Sequence, residues 1–516
     1  MNYKGHMADW RDFMLKFNKE TINLPTSYTE KTYSFTSSGD VIIPDSKDDI
    51  KTILFVDCVP TLEDTIINLG QITITGNAEY NILYAPEGDT QKLIRISTSI
   101  PYKSSFDVPN VNSDSNIYIS LSPKTIDSKI LNGRKINLSS VINVGVSFFN
   151  KSETQYIKDV NSEELIEELH ETTSINTFIG KDEKKTTVKD TVMLPTSLPN
   201  IDSIIKYETC ITNKENVVSD DKIIFKGDLN IKIFYVAEND DKIYSFNSVI
   251  PFSDFAHIDG IDSDSIITTK SKVNSLSLKI LPDSDDLPRV IEFDSQILSI
   301  ICAFSNTKID VIRDLYCTKK ALLPQAKKVT FNIISPEETS NIMLREIIDI
   351  PDEENISIIS AFGRPKEIKI EECENGFILK GNINISIIYK LSNGFINTVS
   401  TDIPIEHIID SNINTVSEVY IENIEATQNE IGKIDLKINI SFLGNMITNS
   451  AVELLDDVTE SENLKEKKSG LTIYFVKPSD TYWNIAKKFN TTIEKIKELN
   501  NIDDNDKLIV GKPIVV

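Results

Sequence analysis

One nine-residue pattern occurs three times in this chain and constrains its fold more than any other feature. Each copy opens with glycine and closes with tyrosine eight positions later, and polar residues alternate with mostly apolar ones between them. The copies are Gly76–Tyr84, Gly227–Tyr235 and Gly381–Tyr389. Alternation with a period of two places successive side chains on opposite faces of a strand. The pattern therefore predicts the same half-buried β-strand in three related units.

The residues around this pattern keep similar spacing in all three copies. An aliphatic-proline pair precedes the glycine by 32, 32 and 30 residues, and an Ile-Pro pair follows it by 25, 24 and 23 residues. We expect these prolines at strand starts or on edge strands, because proline has no N–H to donate to a neighbouring strand. The period of 151 and then 154 residues is far longer than a solenoid repeat and indicates tandem domains.

Alternating runs of β-branched and aromatic residues, separated by turn-forming stretches, extend the β character of each copy. The predicted fold is mainly β, with three tandem sandwich-like domains of antiparallel strands. Their predicted limits are residues 21–150, 186–306 and 307–452.

Three other segments are expected to lie outside these domains. Residues 151–185 are predicted to connect the first two domains and to be helical around 162–169, because Ser162 can cap a helix with an acidic first turn. Residues 453–470 are polar and charged, which is typical of a linker. Residues 1–20 carry a short amphipathic helical pattern.

Composition narrows the classes of function. A net charge of −24 over 516 residues argues against general binding to nucleic acid or anionic lipid, both of which favour a basic face. No apolar run approaches the ~18 residues of a membrane helix, and the N-terminus lacks a long apolar core, so we expect a soluble, unsecreted protein. Five scattered cysteines without a C-x-x-C motif fit a reducing compartment.

No signature of catalysis was found in the sequence. It contains no P-loop, no G-x-G-x-x-G, no G-x-S-x-G and no H-E-x-x-H, and its four histidines are isolated from one another. We therefore predict a non-enzymatic protein with no catalytic residues, no cofactor and no metal site.

The last 46 residues carry the sharpest local signals. Residues 472–477 alternate as a short strand, and Asp480 or Thr481 can cap a helix with apolar positions at Tyr482, Ile485 and Phe489. A capping-box pattern at 491–494 predicts a second helix, and a closing strand follows a polar loop. The predicted order is β-α-α-β in a small α+β domain at 471–516.

This tail resembles a LysM domain. The matching pieces are Val476–Phe489, Leu499-Asn500-Asn501 and Leu508–Pro513, and the one departure is Ser479, where the family usually has glycine. The resemblance implies binding of N-acetylglucosamine polymers in a groove between the loop after the first strand and the loop at 501–506. The contact residues predicted for a glycan or protein partner are Ser479, Asp480, Thr481, Tyr482, Trp483, Asn501, Ile502 and Asp503. Trp483 fits either the domain core or an interface anchor.

Three β-rich repeats followed by one LysM domain resemble the SipL-like family of clostridial spore-coat morphogenetic proteins. The resemblance implies a protein of the mother-cell cytoplasm, assembled on the outer forespore surface as part of the spore coat. It also implies that the LysM domain docks onto the coat-basement ATPase SpoIVA and that other coat proteins are further partners. The alternative function is binding of peptidoglycan or chitin oligomers in the cortex or cell wall.

Overall fold

The structure, a computed structural model, describes residues 16–88, 92–162, 164–219, 222–238, 240–351, 355–374, 376–409, 413–461, 472–503 and 507–516. The strands of the first repeat are β1 (Lys16–Ile42), β2 (Ile50–Asn68), β3 (Gln71–Pro86), β4 (Ile94–Asp107), β5 (Asn116–Asn132) and β6 (Lys135–Asn161). They form two antiparallel sheets in the orders β2-β3-β4 and β1-β6-β5. The inward faces of both sheets share one apolar core, so the repeat is a six-stranded sandwich.

The second repeat has the same strand order. Its strands are β7 (Ile166–Met193), β8 (Ile201–Ser219), β9 (Lys222–Ala237), β10 (Asp240–His257), β11 (Ile266–Pro282) and β12 (Pro288–Cys317). They pair as β8-β9-β10 and β7-β12-β11, again around one core. The predicted mainly β, sandwich-like fold is confirmed.

In the third repeat the two long outer strands are interrupted. Its strands are β13 (Ala321–Ile334), β14 (Glu338–Asp349), β15 (Ser357–Cys373), β16 (Gly376–Lys390), β17 (Ile396–Ile409), β18 (Thr415–Glu430), β19 (Lys433–Asn445) and β20 (Ile447–Ser461). The sandwich pairs as β15-β16-β17 and β14-β19-β18, while β13 and β20 form a separate ribbon. In the first two repeats the corresponding residues belong to the long strands β1, β6, β7 and β12.

The glycine of the repeated pattern lies opposite a β-bulge in the preceding strand. In the first repeat the register shifts between Leu62 and Asp64 of β2, facing Gly76, and corresponding shifts face Gly227 and Gly381. A Cβ on Gly76 would lie 2.0 Å from the Thr61 carbonyl oxygen. The close approach of two backbones explains why position 76 carries glycine.

Replacing Gly76 by alanine should therefore lower the free energy of unfolding by about 3 kcal/mol, at the upper end of overpacking costs. Gly227→Ala is the matched comparison, because there the new Cβ would meet the ring of Phe252 at 2.9 Å, and a side chain can move aside. For this variant we expect a cost of about 1 kcal/mol. Urea denaturation measures both, and equal losses would contradict the backbone explanation.

The tyrosines that close the pattern are buried in the sandwich cores. Tyr84 and Tyr235 are fully buried, and their hydroxyls donate to the carbonyl oxygens of Asp48 at 2.7 Å and Pro199 at 2.9 Å. The prolines that follow the pattern fall on β4, β10 and β17, each of which is the edge strand of its sheet, as predicted. For the prolines that precede the pattern the prediction is wrong, because Pro44, Pro195 and Pro351 lie just after the ends of β1, β7 and β14.

The three repeats meet in shared apolar clusters. Phe55, Phe234 and Phe362, one from each repeat, lie in one cluster, where the ring centroid of Phe362 is 4.6 Å from that of Phe55 and 4.8 Å from that of Phe234. A second aromatic contact joins Phe149 of the first repeat to Phe178 and Phe304 of the second.

Beyond the sandwiches the outer strands form a stem of three two-stranded ribbons. The ribbons pair residues 16–26 with 150–161, 166–178 with 304–317, and 321–334 with 447–461. All three contribute to common apolar clusters. The stem therefore ties the ends of the repeats together.

The stem corrects several sequence expectations. The predicted helix at 162–169 is wrong, because β7 begins at Ile166 and pairs with β12. The predicted domain limits at 150/151, 185/186, 306/307 and 452/453 are wrong, because they fall inside β6, β7, β12 and β20. The strands of the ribbons are polar, and in the sequence alone such segments are typical of linkers. Residues 16–20 are strand and not helix. The predicted helical pattern at 1–15 and the predicted linker at 462–470 lie outside the described residues.

Candidate binding site

The tail folds into the predicted β-α-α-β order. It contains β21 (Ile473–Phe475), α1 (Tyr482–Phe489), α2 (Ile493–Asn500) and β22 (Pro513–Val515), and β21 pairs with β22. The hydroxyls of Thr481 and Thr492 cap the two helices by accepting from backbone N–H groups three residues on. Asn490 and Asn501 end the helices in the left-handed conformation, which asparagine tolerates.

The turn before α1 is held by a carboxylate. Asp480 accepts hydrogen bonds from the backbone N–H of Lys477 at 2.8 Å and from the hydroxyl of Tyr474 at 2.9 Å. The Lys477 bond is the main cause that lowers the pKa of Asp480. Ser479 has φ of +70°, which explains why related domains favour glycine at this position.

The predicted contact residues divide by exposure. Ser479, Thr481, Asn501 and Asp503 are exposed, whereas Asp480, Tyr482 and Ile502 are half-buried. Tyr482 and Ile502 pack against the same apolar cluster, so both loops are anchored in one core. The remainder of the predicted groove, residues 504–506, lies outside the described residues.

Trp483 belongs to the core and also contacts the stem. Its indole ring packs edge-on against Tyr316 of β12 with ring centroids 5.0 Å apart, and only 7% of the residue is exposed. Its Nε1–H donates to Asp314 Oδ2 at 2.9 Å. Lys487 of α1 donates to both oxygens of the same carboxylate, at 2.6 and 2.7 Å.

Asp314, Tyr316 and Leu169 form the surface of the stem that receives the LysM-like domain, and we call it the stem seat. The register of β12 shifts between Ile312 and Asp314. Because of this bulge, Ile312 and Leu315 face the stem core while Asp314 and Tyr316 face the tail. The Tyr316 hydroxyl donates to the carbonyl oxygen of Thr491 at 2.8 Å. Sequence reasoning missed these residues, since they carry no motif.

Another surface of the tail domain is apolar and open. Ile473 and Phe475 on β21 are 64% and 63% exposed, and Ile509 and Val510 are 61% and 59% exposed. The turn that carries Ile509 and Val510 is fixed to the end of β21 by the Gly511 N–H, which donates to the Val476 carbonyl oxygen at 2.8 Å. We call these four residues the open patch. Clustered exposed apolar residues are typical of a binding surface.

A polar cleft of about 1030 Å³ lies where the three repeats meet. On its wall Lys206 is 6% exposed, and its ammonium group lies 2.7 Å from Glu208 and 4.0 Å from Asp57. Burial alone would lower the pKa of Lys206, but the two carboxylates outweigh it and the pKa is raised. Arg364 of the third repeat lies 3.8 Å from Asp57. Since the charges neutralise one another, the cleft favours neither a cationic nor an anionic ligand.

The described residues show no other familiar type of site. Across those ranges, no three His, Cys, Asp or Glu side chains come together in a way that could hold a metal ion. Each described helix is too short to cross a membrane. The five cysteines are free thiols.

The fold and the site define a class of protein in which tandem β-sandwich domains are followed by a small binding domain. Comparison with protein families gives two matches. The LysM domain family matches residues 474–516. The family described as "SipL, SPOCS domain" matches residues 49–131 and 200–281. The chain therefore carries two SPOCS segments and a C-terminal LysM domain, an arrangement that matches a SipL-like protein. No curated protein and no solved structure gave a significant match.

The SPOCS matches coincide with parts of the first two sandwiches. They cover β2 to β5 in the first repeat and β8 to β11 in the second, and so exclude the long strands that build the stem. The third repeat presents the equivalent strands β15 to β18 in the same order. These domains are those of a sporulation coat-related protein with a peptidoglycan-binding type of tail.

Proposed function

We propose that this protein is a non-enzymatic adaptor of the spore coat, which docks through its LysM domain onto a SpoIVA-like coat-basement ATPase. The observation that carries the proposal is the open patch, an apolar surface on the smallest domain of an otherwise acidic chain. Apolar residues that remain exposed beside a folded core favour a protein partner over a polar sugar. Both families are binding or adaptor domains, which supports a role without catalysis.

The three sandwiches act as a scaffold in this proposal. They share apolar clusters and a stem, so they hold the tail at one end of a connected body. Assembly takes place at the outer forespore surface from the mother-cell cytoplasm, and the outer faces of the sandwiches remain available to other coat proteins.

The second candidate function is binding of N-acetylglucosamine polymers by the LysM loops. It is favoured by the exposure of Ser479, Thr481 and Asn501 on the loops that would form the groove. The two functions use different surfaces, since the open patch lies on β21 and the turn before β22.

Affinity capture of the ATPase with the full chain separates the candidates. We expect deletion of residues 472–516 to abolish capture and Phe475→Glu with Ile509→Glu to reduce it at least about tenfold, because both charges enter an apolar contact. The matched control is Asp503→Ala, which changes an exposed residue of the second loop that caps neither helix and should leave capture unchanged. Retained capture by the tail-less chain would reject docking through the tail. Loss of chitin-oligomer binding in the loop variant, with no ATPase capture by the parent, would favour the glycan function.

A further inference from the structure

The contact between the stem seat and α1 is small and contains opposing electrostatic effects. Trp483, Lys487 and Thr491 make its polar contacts to Asp314 and Tyr316. The partners are far apart in the chain, since Asp314 and Trp483 are separated by 169 positions. Domains of one chain generally move relative to one another unless the interface between them is large and hydrophobic.

A like-charge pair opposes the contact. Glu167 of β7 lies near Glu494 of α2, and its pKa is raised first by burial and then by the charge of Glu494. Asp314 acts in the other direction, because its carboxylate accepts charge-assisted hydrogen bonds from Lys487 as well as the indole N–H. The contact between the tail domain and the stem seat therefore depends on a balance between attraction at Asp314 and repulsion between Glu167 and Glu494.

We propose that the stem seat is an autoinhibitory latch, which holds the LysM domain by Asp314 and covers the Trp483 face until a partner displaces it. This inference rests on the proposed docking function and adds its regulation. While the latch is closed, the open patch and the loops are accessible but Trp483 is not. Tryptophan contributes strongly to protein interfaces when it is desolvated, so opening the latch adds an anchor to the docking surface.

The latch can be measured in the full chain by the quenching of tryptophan fluorescence with acrylamide. The sequence has two tryptophans, and Trp10→Phe leaves Trp483 as the only reporter. In this background we expect Asp314→Ala to raise the open fraction about tenfold, the effect of losing a charge-assisted contact, and to increase both quenching and ATPase capture. Glu167→Gln should act oppositely, since it removes the repulsion from Glu494.

Two further variants make the test specific. Asp310→Ala is the matched control, because Asp310 lies on the same strand but pairs with His170 and not with the tail. Lys487→Glu should open the latch, and its combination with Asp314→Lys should close it in part, because the ion pair forms again in the reverse sense while the Trp483 N–H loses its acceptor. A general loss of folding would not give this recovery. Unchanged quenching in Asp314→Ala would overturn the proposal, and so would increased quenching without increased capture. If the tail-less chain still captures the ATPase, docking through the tail fails, and the quenching series alone decides whether the latch exists.

Discussion

Replacing Phe362 by alanine should lower the free energy of unfolding by about 3–5 kcal/mol, the cost of removing a buried aromatic side chain and leaving a cavity. Phe362 is 2% exposed and contacts Phe55 and Phe234, so one substitution removes packing from all three repeats. Urea denaturation of the full chain measures the loss. Hydrogen exchange should also report weaker protection at Leu83 and Val236, which lie in the same cluster but in the other repeats.

Phe395→Ala provides the matched control, because it removes the same side chain from the same repeat at a position that is 48% exposed. Its cost should stay within about 0.5 kcal/mol, as for surface substitutions generally. A loss confined to the third repeat in Phe362→Ala, with unchanged protection in the first two, would show that the repeats do not stabilise one another.

Lys206→Met should be comparably damaging, with a loss of about 3–5 kcal/mol, because it leaves the buried carboxylate of Asp57 and the half-buried one of Glu208 without this cation. Methionine keeps most of the length of the lysine stem, so the packing between the rings of Phe55 and Phe362 changes little. Asp57 is 5% exposed, and Arg364 at 3.8 Å compensates it only in part. The same denaturation experiment measures this variant.

The comparison for Lys206 is Lys226→Met, since Lys226 pairs with Glu215 at 3.6 Å on the surface and is 50% exposed. Such a pair contributes no more than about 1 kcal/mol. Adding Glu208→Gln to Lys206→Met should recover part of the lost stability, because Glu208 is then neutral and Asp57 keeps Arg364 as its partner. Failure of the double variant to recover would mean that the stem of Lys206, and not its charge, supports the junction.

The sandwiches were predictable because their signal is local. Alternation within Gly76–Tyr84 and its two counterparts defines a strand with one buried face, and the repetition of prolines at fixed distances identifies equivalent edge strands. The LysM fold was predictable for the same reason, since Thr481 and its neighbours carry capping and amphipathic signals within a few residues.

The stem was not predictable, because its strands depend on partners far away in the chain. The acidic run before Leu169 favours a helix locally, yet the segment pairs with Leu315, Tyr316 and Cys317 and becomes strand. Tertiary pairing overrides local propensity in such cases. The seat under Trp483 has the same origin, since a single bulge at the end of β12 decides which face Asp314 occupies.

Each repeat begins and ends at the stem, with its first and last residues paired across one ribbon. Lys16 pairs with Asn161, Ile166 with Cys317, and Ala321 with Ser461. Each repeat is therefore a closed cassette whose entry and exit lie side by side, and only a few residues separate one cassette from the next. Gene duplication could add or remove a whole cassette without changing the strand pairing of the others, while the C-terminal domain stays at the stem.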